Sequence, residues 1–222
     1  MQRVTEPELM DDPLQAEAYA AADFAEPHRR IVETFDECFP ETELAGTVLD
    51  LGCGPGDISF RFAARFPTCS VIGVDGSAAM IRLANVRKAR TATPGKRVTF
   101  IEGLIPGAAI PAVPYAAIVS NSLLHHLHDP QVLWQTVVRH AGAGTRIFIA
   151  DLLRPESEGH ARRLVEMYAD GEPEVLRRDF YHSLCAAFES REVAAQIAAV
   201  GLGELTVQVI SDRHLVVYGT RS

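Results

Sequence analysis

From Thr47 onward, short apolar runs rich in β-branched residues alternate with stretches of helical periodicity. Strands are predicted at 47–51 (TVLDL), 70–75 (SVIGVD), 97–101 (RVTFI), 115–120 (YAAIVS) and 145–150 (TRIFIA). Each is apolar on both faces, as a parallel strand buried between two layers of helix must be. Ile58, Phe62 and Phe66 recur at four-residue spacing, so the first intervening helix buries one stripe. Asp129 and Pro130 read as the N-cap and first-turn proline of another helix, with Leu133, Trp134, Val137 and Val138 on one face and Gly142 closing it. A last helix, capped by Ser190, turns Val193, Ile197 and Val200 inward and stops at Gly201. Two final strands near 204–210 and 214–219, joined through the SDRH turn, put an antiparallel pair at the sheet edge. The pattern is that of an α/β chain built on a mostly parallel sheet.

Three segments fall outside this alternation. Residues 1–40 are helix-prone, mix charges among apolar positions, end at Pro40, and are expected to form a helical N-terminal lid on a single domain at 41–222. The connection 102–114 (EGLIPGAAIPAVP) is too broken by Pro and Gly for a long helix and reads as loop. Residues 151–189 read as an insertion of two helices on the substrate side.

With 222 residues, 47% of them apolar, the chain is long enough for one sizeable core. A formal charge of -8 offers no long-range attraction to phosphate backbones or anionic lipid, so nucleic-acid and membrane partners are not expected. Cys38, Cys53, Cys69 and Cys185 lie far apart without C-x-x-C spacing, which argues against a zinc site or disulfide framework. They read as reduced cysteines, and with no apolar leader in MQRVTEPELMDDP and no long apolar run the expected location is cytoplasmic.

The candidate chemistry begins at VLDLGCGPG, residues 48–56, where a strand runs through Gly52, Gly54 and Gly56 into a helix. Glycines let the backbone approach a ligand closely, and the helix N-terminus supplies free N–H groups. The spacing G-x-G-x-G is one residue short of the dinucleotide fingerprint. Asp75 ends the next strand about twenty residues downstream of the loop, where a carboxylate accepts ribose hydroxyls. Asp50, just before the glycines, would repel a pyrophosphate and attract an ammonium. A ligand that joins a ribose to an amino-acid ammonium without a phosphate chain is S-adenosylmethionine.

VLDLGCGPG, VIGVDGSAAM, VTFIEG, SNSLLHHLHDP and GTRIFIADLL, in this order and spacing, resemble the class I S-adenosylmethionine-dependent methyltransferases over roughly residues 45–220. The resemblance implies a Rossmann-like three-layer fold whose seven-stranded sheet has the order 3-2-1-4-5-7-6 with the last strand antiparallel. It implies that Asp50 anchors the methionine ammonium, that Gly52 and Gly54 pass beneath the methionine part, and that Asp75 holds the ribose. Gly76 and Met80 would lie against the adenine, Gly103 and Leu104 at its edge, and Asn121 toward the methionine. Two positions depart from the family pattern. Leu104 stands where many relatives have Asp, leaving adenine to backbone groups or Glu102, and Ala116 stands where an Asp often follows the first aromatic of strand four.

His125, His126 and His128 cluster after the fourth strand, but only Asp129 stands near enough in sequence to complete a ligand set, so no metal is expected. His125, His126 and His182 are the candidate bases should the acceptor lose a proton. Tyr19, Tyr168 and Tyr181 are candidate acceptor-binding residues, with packing of the lid helices as the plainer role. Cys53 has no paired base and reads as packing. The expected activity is methyl transfer to O, N or C of a small-molecule acceptor by in-line displacement. The rival readings are a methyltransferase of a macromolecule and a cofactor-binding protein without transfer. An exposed lid and edge strand suggest a homodimer.

Overall fold

The computed structural model describes all residues except 10–15, 18, 21, 23, 41 and 42. Seven strands are present: β1 (Gly46–Leu51), β2 (Cys69–Asp75), β3 (Val98–Glu102), β4 (Tyr115–Asn121), β5 (Arg146–Leu152), β6 (Thr206–Val209) and β7 (His214–Thr220). They form one sheet of order β3-β2-β1-β4-β5-β7-β6. β3, β2, β1, β4 and β5 run parallel, while β7 is antiparallel to both β5 and β6. This is the order the resemblance implies.

Two-residue alternation along the strands divides the core between the two faces. Leu49, Leu51, Ile118, Ile147, Ile149 and Val217 face one cluster. It is closed by Leu133, Trp134 and Val137 of α4 (Gln131–His140) and by Val193 and Ile197 of α7 (Ser190–Ala199). Val48, Ala117, Val119, Phe148 and Val216 face the other cluster. That side is closed by Val32 and Phe35 of α1 (Ala25–Cys38) and by Ile58 and Phe62 of α2 (Asp57–Arg65). α3 (Ala78–Arg90) follows β2, while α5 (Glu158–Tyr168) and α6 (Glu174–Ala186) are the two helices of the 151–189 segment.

α1 is not a loose cover. Phe35 is fully buried, and its ring meets those of Phe39, Phe62, Phe66 and Phe148 at centroid distances of 4.9 to 5.7 Å. Residues 25–38 therefore belong to the layer that covers the sheet. The first residues of the chain reach across the sheet's carboxyl edge: Arg3 donates to the carbonyls of Ala186, His125 and Leu127, and Val4 N–H donates to Cys185 O.

Two caps sit one residue away from the sequence reading. Glu189, not Ser190, is the N-cap of α7: Glu189 and Glu192 form a reciprocal capping box, in which the N-cap and N3 side chains satisfy each other's backbone N–H. At α4 the cap residue is Pro130, and Asp129 Oδ1 accepts from Gln131 N–H at 3.0 Å. α7 ends as expected at Gly201, where φ is +74°. Gly201 N–H bonds Ala198 O and Leu202 N–H bonds Ile197 O, a Schellman closure.

The fully buried Trp134 donates from Nε1 to Gln196 Oε1 at 2.9 Å, tying α4 to α7. Gln196→Leu leaves the indole N–H buried without an acceptor, and urea denaturation is expected to show a loss of about 1–3 kcal/mol. An unchanged midpoint would mean that the pair adds nothing to the docking of the two helices.

Candidate active site

The carboxyl ends of β1, β2, β4 and β5 open into a cavity of about 980 Å³. This is the edge at which open α/β sheets bind ligands. Asp50, Gly52, Gly54, Asp75, Gly76, Met80, Gly103, Leu104 and Asn121 all line it. Glu102 is exposed and lies off the lining, while Gly103 and Leu104 are on it.

The turn after β1 takes three positive-φ glycines, at +70°, +51° and +85° for Gly52, Gly54 and Gly56. A Cβ on Gly52 would strike Leu123 at 2.8 Å, whereas one on Gly54 would meet nothing within 4 Å. Gly54 therefore presents bare backbone to the cavity. Its N–H donates to Asp75 Oδ2 at 2.8 Å, and Ser77 N–H donates to Asp75 Oδ1 at the same distance. Asp75 thus joins the glycine loop to the start of α3, where Ser77 is the N-cap and accepts from Met80 N–H. Asp75 also lines the cavity, at the strand-end position where a carboxylate accepts ribose hydroxyls.

Asp50 is 1% exposed, and its Oδ2 accepts from Ser59 Oγ at 2.5 Å. Burial pushes its carboxyl from 3.8 up to about 7, against the Ser59 hydrogen bond and with the help of the Asp75 charge. Asp50 is thus a buried carboxyl that borders the cavity. Burial also drives the Cys53 thiol far up, with the charges of Asp50 and Asp75 adding to the effect, so Cys53 is a packed neutral thiol.

Next to the loop, Asp57 opens α2 and binds His28 Nδ1 at 2.7 Å, Arg61 Nε at 2.6 Å, and the Arg87 guanidinium. Burial opposes ionisation there, yet these partners hold the carboxyl far below its usual range. This anchor was not recognised in the sequence, because its partners come from α1, α2 and α3.

The tyrosines separate. Tyr19 packs on Ala79 and Met80, and burial with the nearby charges of Asp57 and Asp75 pushes its hydroxyl up to about 12. It lines the cavity on the side of Met80. Tyr168 lines the cavity mouth, donates to Asp212 Oδ2 at 2.8 Å and lies under the Arg213 guanidinium. Tyr181 packs against the cluster of α5 and α6 and lies off the lining.

Of the three candidate bases, His182 is exposed and off the lining. His125 and His126 line the cavity, but neither is free. His125 Nδ1 meets Asp151 Oδ1 at 2.6 Å and its Nε2 faces Glu6. His126 Nδ1 also faces Glu6, and burial, with the His125 charge, pushes it down to about 3. Asp151 is the penultimate residue of β5, as Asp50 is of β1, a signal the sequence carried. Glu6 had no such signal.

Residues 48–144 match the model of the methyltransferase domain family. A trans-aconitate 2-methyltransferase of Azoarcus sp. (strain BH72) is 37% identical over 100 residues, 45% of this chain and 36% of that one. An uncharacterized methyltransferase of Mycobacterium tuberculosis (strain ATCC 25618 / H37Rv) is 24% identical over 136 residues, 61% of this chain and 66% of that one. The chain thus spans less than two thirds of the length of these relatives. Among solved structures, a SAM dependent methyltransferase from Aquifex aeolicus superposes with a TM-score of 0.64 at 17% identity, covering 93% of this chain and 97% of that one. A protein of Methanococcus maripaludis assigned to the same class gives 0.71 at 18% identity, covering 99% and 97%. Residues 48–144 thus resemble a methyltransferase domain, and they are set in a seven-stranded sheet that shares its fold with these solved structures. Among the described residues no helix is long and apolar enough to cross a membrane.

Proposed function

We propose that this protein transfers the sulfonium methyl of S-adenosylmethionine to an O, N or C nucleophile of a small molecule, releasing S-adenosylhomocysteine. The observation that carries the reading is the pair of carboxylates, Asp50 and Asp75, on neighbouring strand ends with the bare Gly54 backbone between them. Asp50 takes the ammonium, Asp75 the ribose hydroxyls, and Met80 with Tyr19 packs at the nucleoside end. The sulfonium is already an activated donor, so the chain's contribution is alignment for in-line displacement and exclusion of water.

The acceptor side is lined by Leu123, Leu152, Leu176, Phe180 and Ile210, which favours a small, largely apolar acceptor. The relatives named trans-aconitate 2-methyltransferase support a small molecule. Charge speaks against a polyanion here: nine Asp and Glu line the cavity against Arg30 and Arg213, and Arg213 is bonded to Asp212. Incubation with methyl-labelled cofactor and an acceptor panel tests this, with labelled product expected from uncharged aromatic acceptors and none from trans-aconitate. The opposite pattern would overturn the acceptor assignment, and cofactor binding without any product would favour a protein that binds without transfer.

Gly54→Ala separates folding from binding. The added methyl has room in the free protein, and its left-handed backbone costs about 1–2 kcal/mol. Melting is expected to shift modestly while calorimetry shows loss of cofactor binding. Retained affinity would remove Gly54 from the ligand path.

A further inference from the structure

Glu6, His125 and His126 converge on one point that the methyl-transfer reading leaves without a role. Glu6 Oε1 lies 3.5 Å from His125 Nε2 and 3.2 Å from His126 Nδ1, and the three ligand atoms all lie within 4.8 Å of one another. The side chains are 9%, 3% and 22% exposed, so bulk water does not satisfy them. As a hydrogen-bonded cluster the arrangement is poor. The His125 contact is longer than a normal hydrogen bond, and among the described residues His126 Nδ1 makes no well-aligned one.

As ligand separations, the two Glu6 distances of 3.5 and 3.2 Å are close to what a tetrahedral ion needs. Nitrogen and oxygen ligands about 2.1 Å from a tetrahedral ion stand roughly 3.4 Å apart. The groups behind them also fit. Asp151 Oδ1 takes His125 Nδ1–H at 2.6 Å and so leaves Nε2 as the lone pair that faces Glu6. Asp151 is itself fixed by Leu124 and Leu152 N–H at 2.7 Å each, and Ser183 Oγ donates to the Glu6 carboxylate at 3.1 Å.

We propose that Glu6, His125 and His126 bind a divalent transition-metal ion of the zinc type. Two imidazole nitrogens and one carboxylate oxygen suit such an ion, and three protein ligands leave a fourth position. His125 and His126 line the cavity, which puts the site at its wall. The ion also ties the amino-terminal segment to the turn after β4, where Arg3 already holds the carbonyls of His125 and Leu127. The site does not depend on methyl transfer, and its test does not use activity.

The full chain, stripped with a chelator, is titrated with Co2+ and then Zn2+ while visible absorbance is followed. Saturation of the Co2+ bands at one equivalent, and their loss on adding one equivalent of Zn2+, is the expected result. Glu6→Gln and His126→Gln are each expected to weaken binding by about a hundredfold, and Asp151→Asn by about 10- to 100-fold. Thermal melting followed by circular dichroism shows that each variant is folded, and the two ligand variants decide the matter if Asp151→Asn is not. Absence of a saturable band at one equivalent, or undiminished affinity in folded Glu6→Gln protein, would overturn the proposal and leave an ion-paired cluster.

Discussion

Asp50→Asn is expected to make the ligand-free protein more stable while its affinity for S-adenosylmethionine collapses. Raising a buried carboxyl from 3.8 to about 7 corresponds to about 4 kcal/mol against the ionised folded state. Because the folded value lies above the unfolded one, the penalty is absent below about 4, grows as pH rises from there to about 7, and is constant above. Asparagine removes the charge and still offers an oxygen to Ser59 Oγ, so a gain on the order of 3 kcal/mol is expected near pH 8, shrinking toward pH 4. Binding moves the other way. An ammonium that loses its buried counter-charge loses about 3 kcal/mol or more, roughly a hundredfold in affinity. In the wild-type protein the ligand selects the ionised carboxylate, so affinity should rise about tenfold between pH 6 and pH 8, and the variant should lack that slope. Melting and calorimetry across pH check both halves. A variant that is less stable, or a wild-type affinity flat across this range, would show that Asp50 does not hold the ammonium.

Phe35→Ala is expected to cost about 3–5 kcal/mol, a large share of the stability of a domain of this size. The ring is fully buried where α1, α2 and β5 meet, and its edge-on contacts with Phe62, Phe66 and Phe148 are lost together with its buried area. Denaturant unfolding reads the loss. A change below about 1 kcal/mol would mean that α1 docks as a separable lid, as the composition of residues 1–40 suggested.

What was legible in the sequence was local. The five parallel strands could be read because burial on both faces demands continuous apolar runs. The Schellman stop at Gly201 was legible for the same reason, since few residues take φ of +74° without strain. The cap of α7 was misread because Ser190 is a favoured cap residue by type, while the pair that forms the box is Glu189 with Glu192, a spacing visible in ESRE. Long-range assembly was not legible. Glu6 reaches His125 and His126 across about half the chain, and Tyr19 meets Met80 only because the amino-terminal segment folds over α3. His182 and Tyr181 share α6 with residues that do line the cavity, and only helix phase sends them elsewhere.

The pairing of Asp50 and Asp75 across one nucleoside is the claim on which the functional reading rests. Its most direct test is calorimetric titration of S-adenosylmethionine into the full chain and into Asp75→Ala protein. Saturation at one equivalent in the first and no measurable binding in the second, still folded, is the predicted outcome. No heat in the wild-type protein, or equal affinity in both, would contradict it.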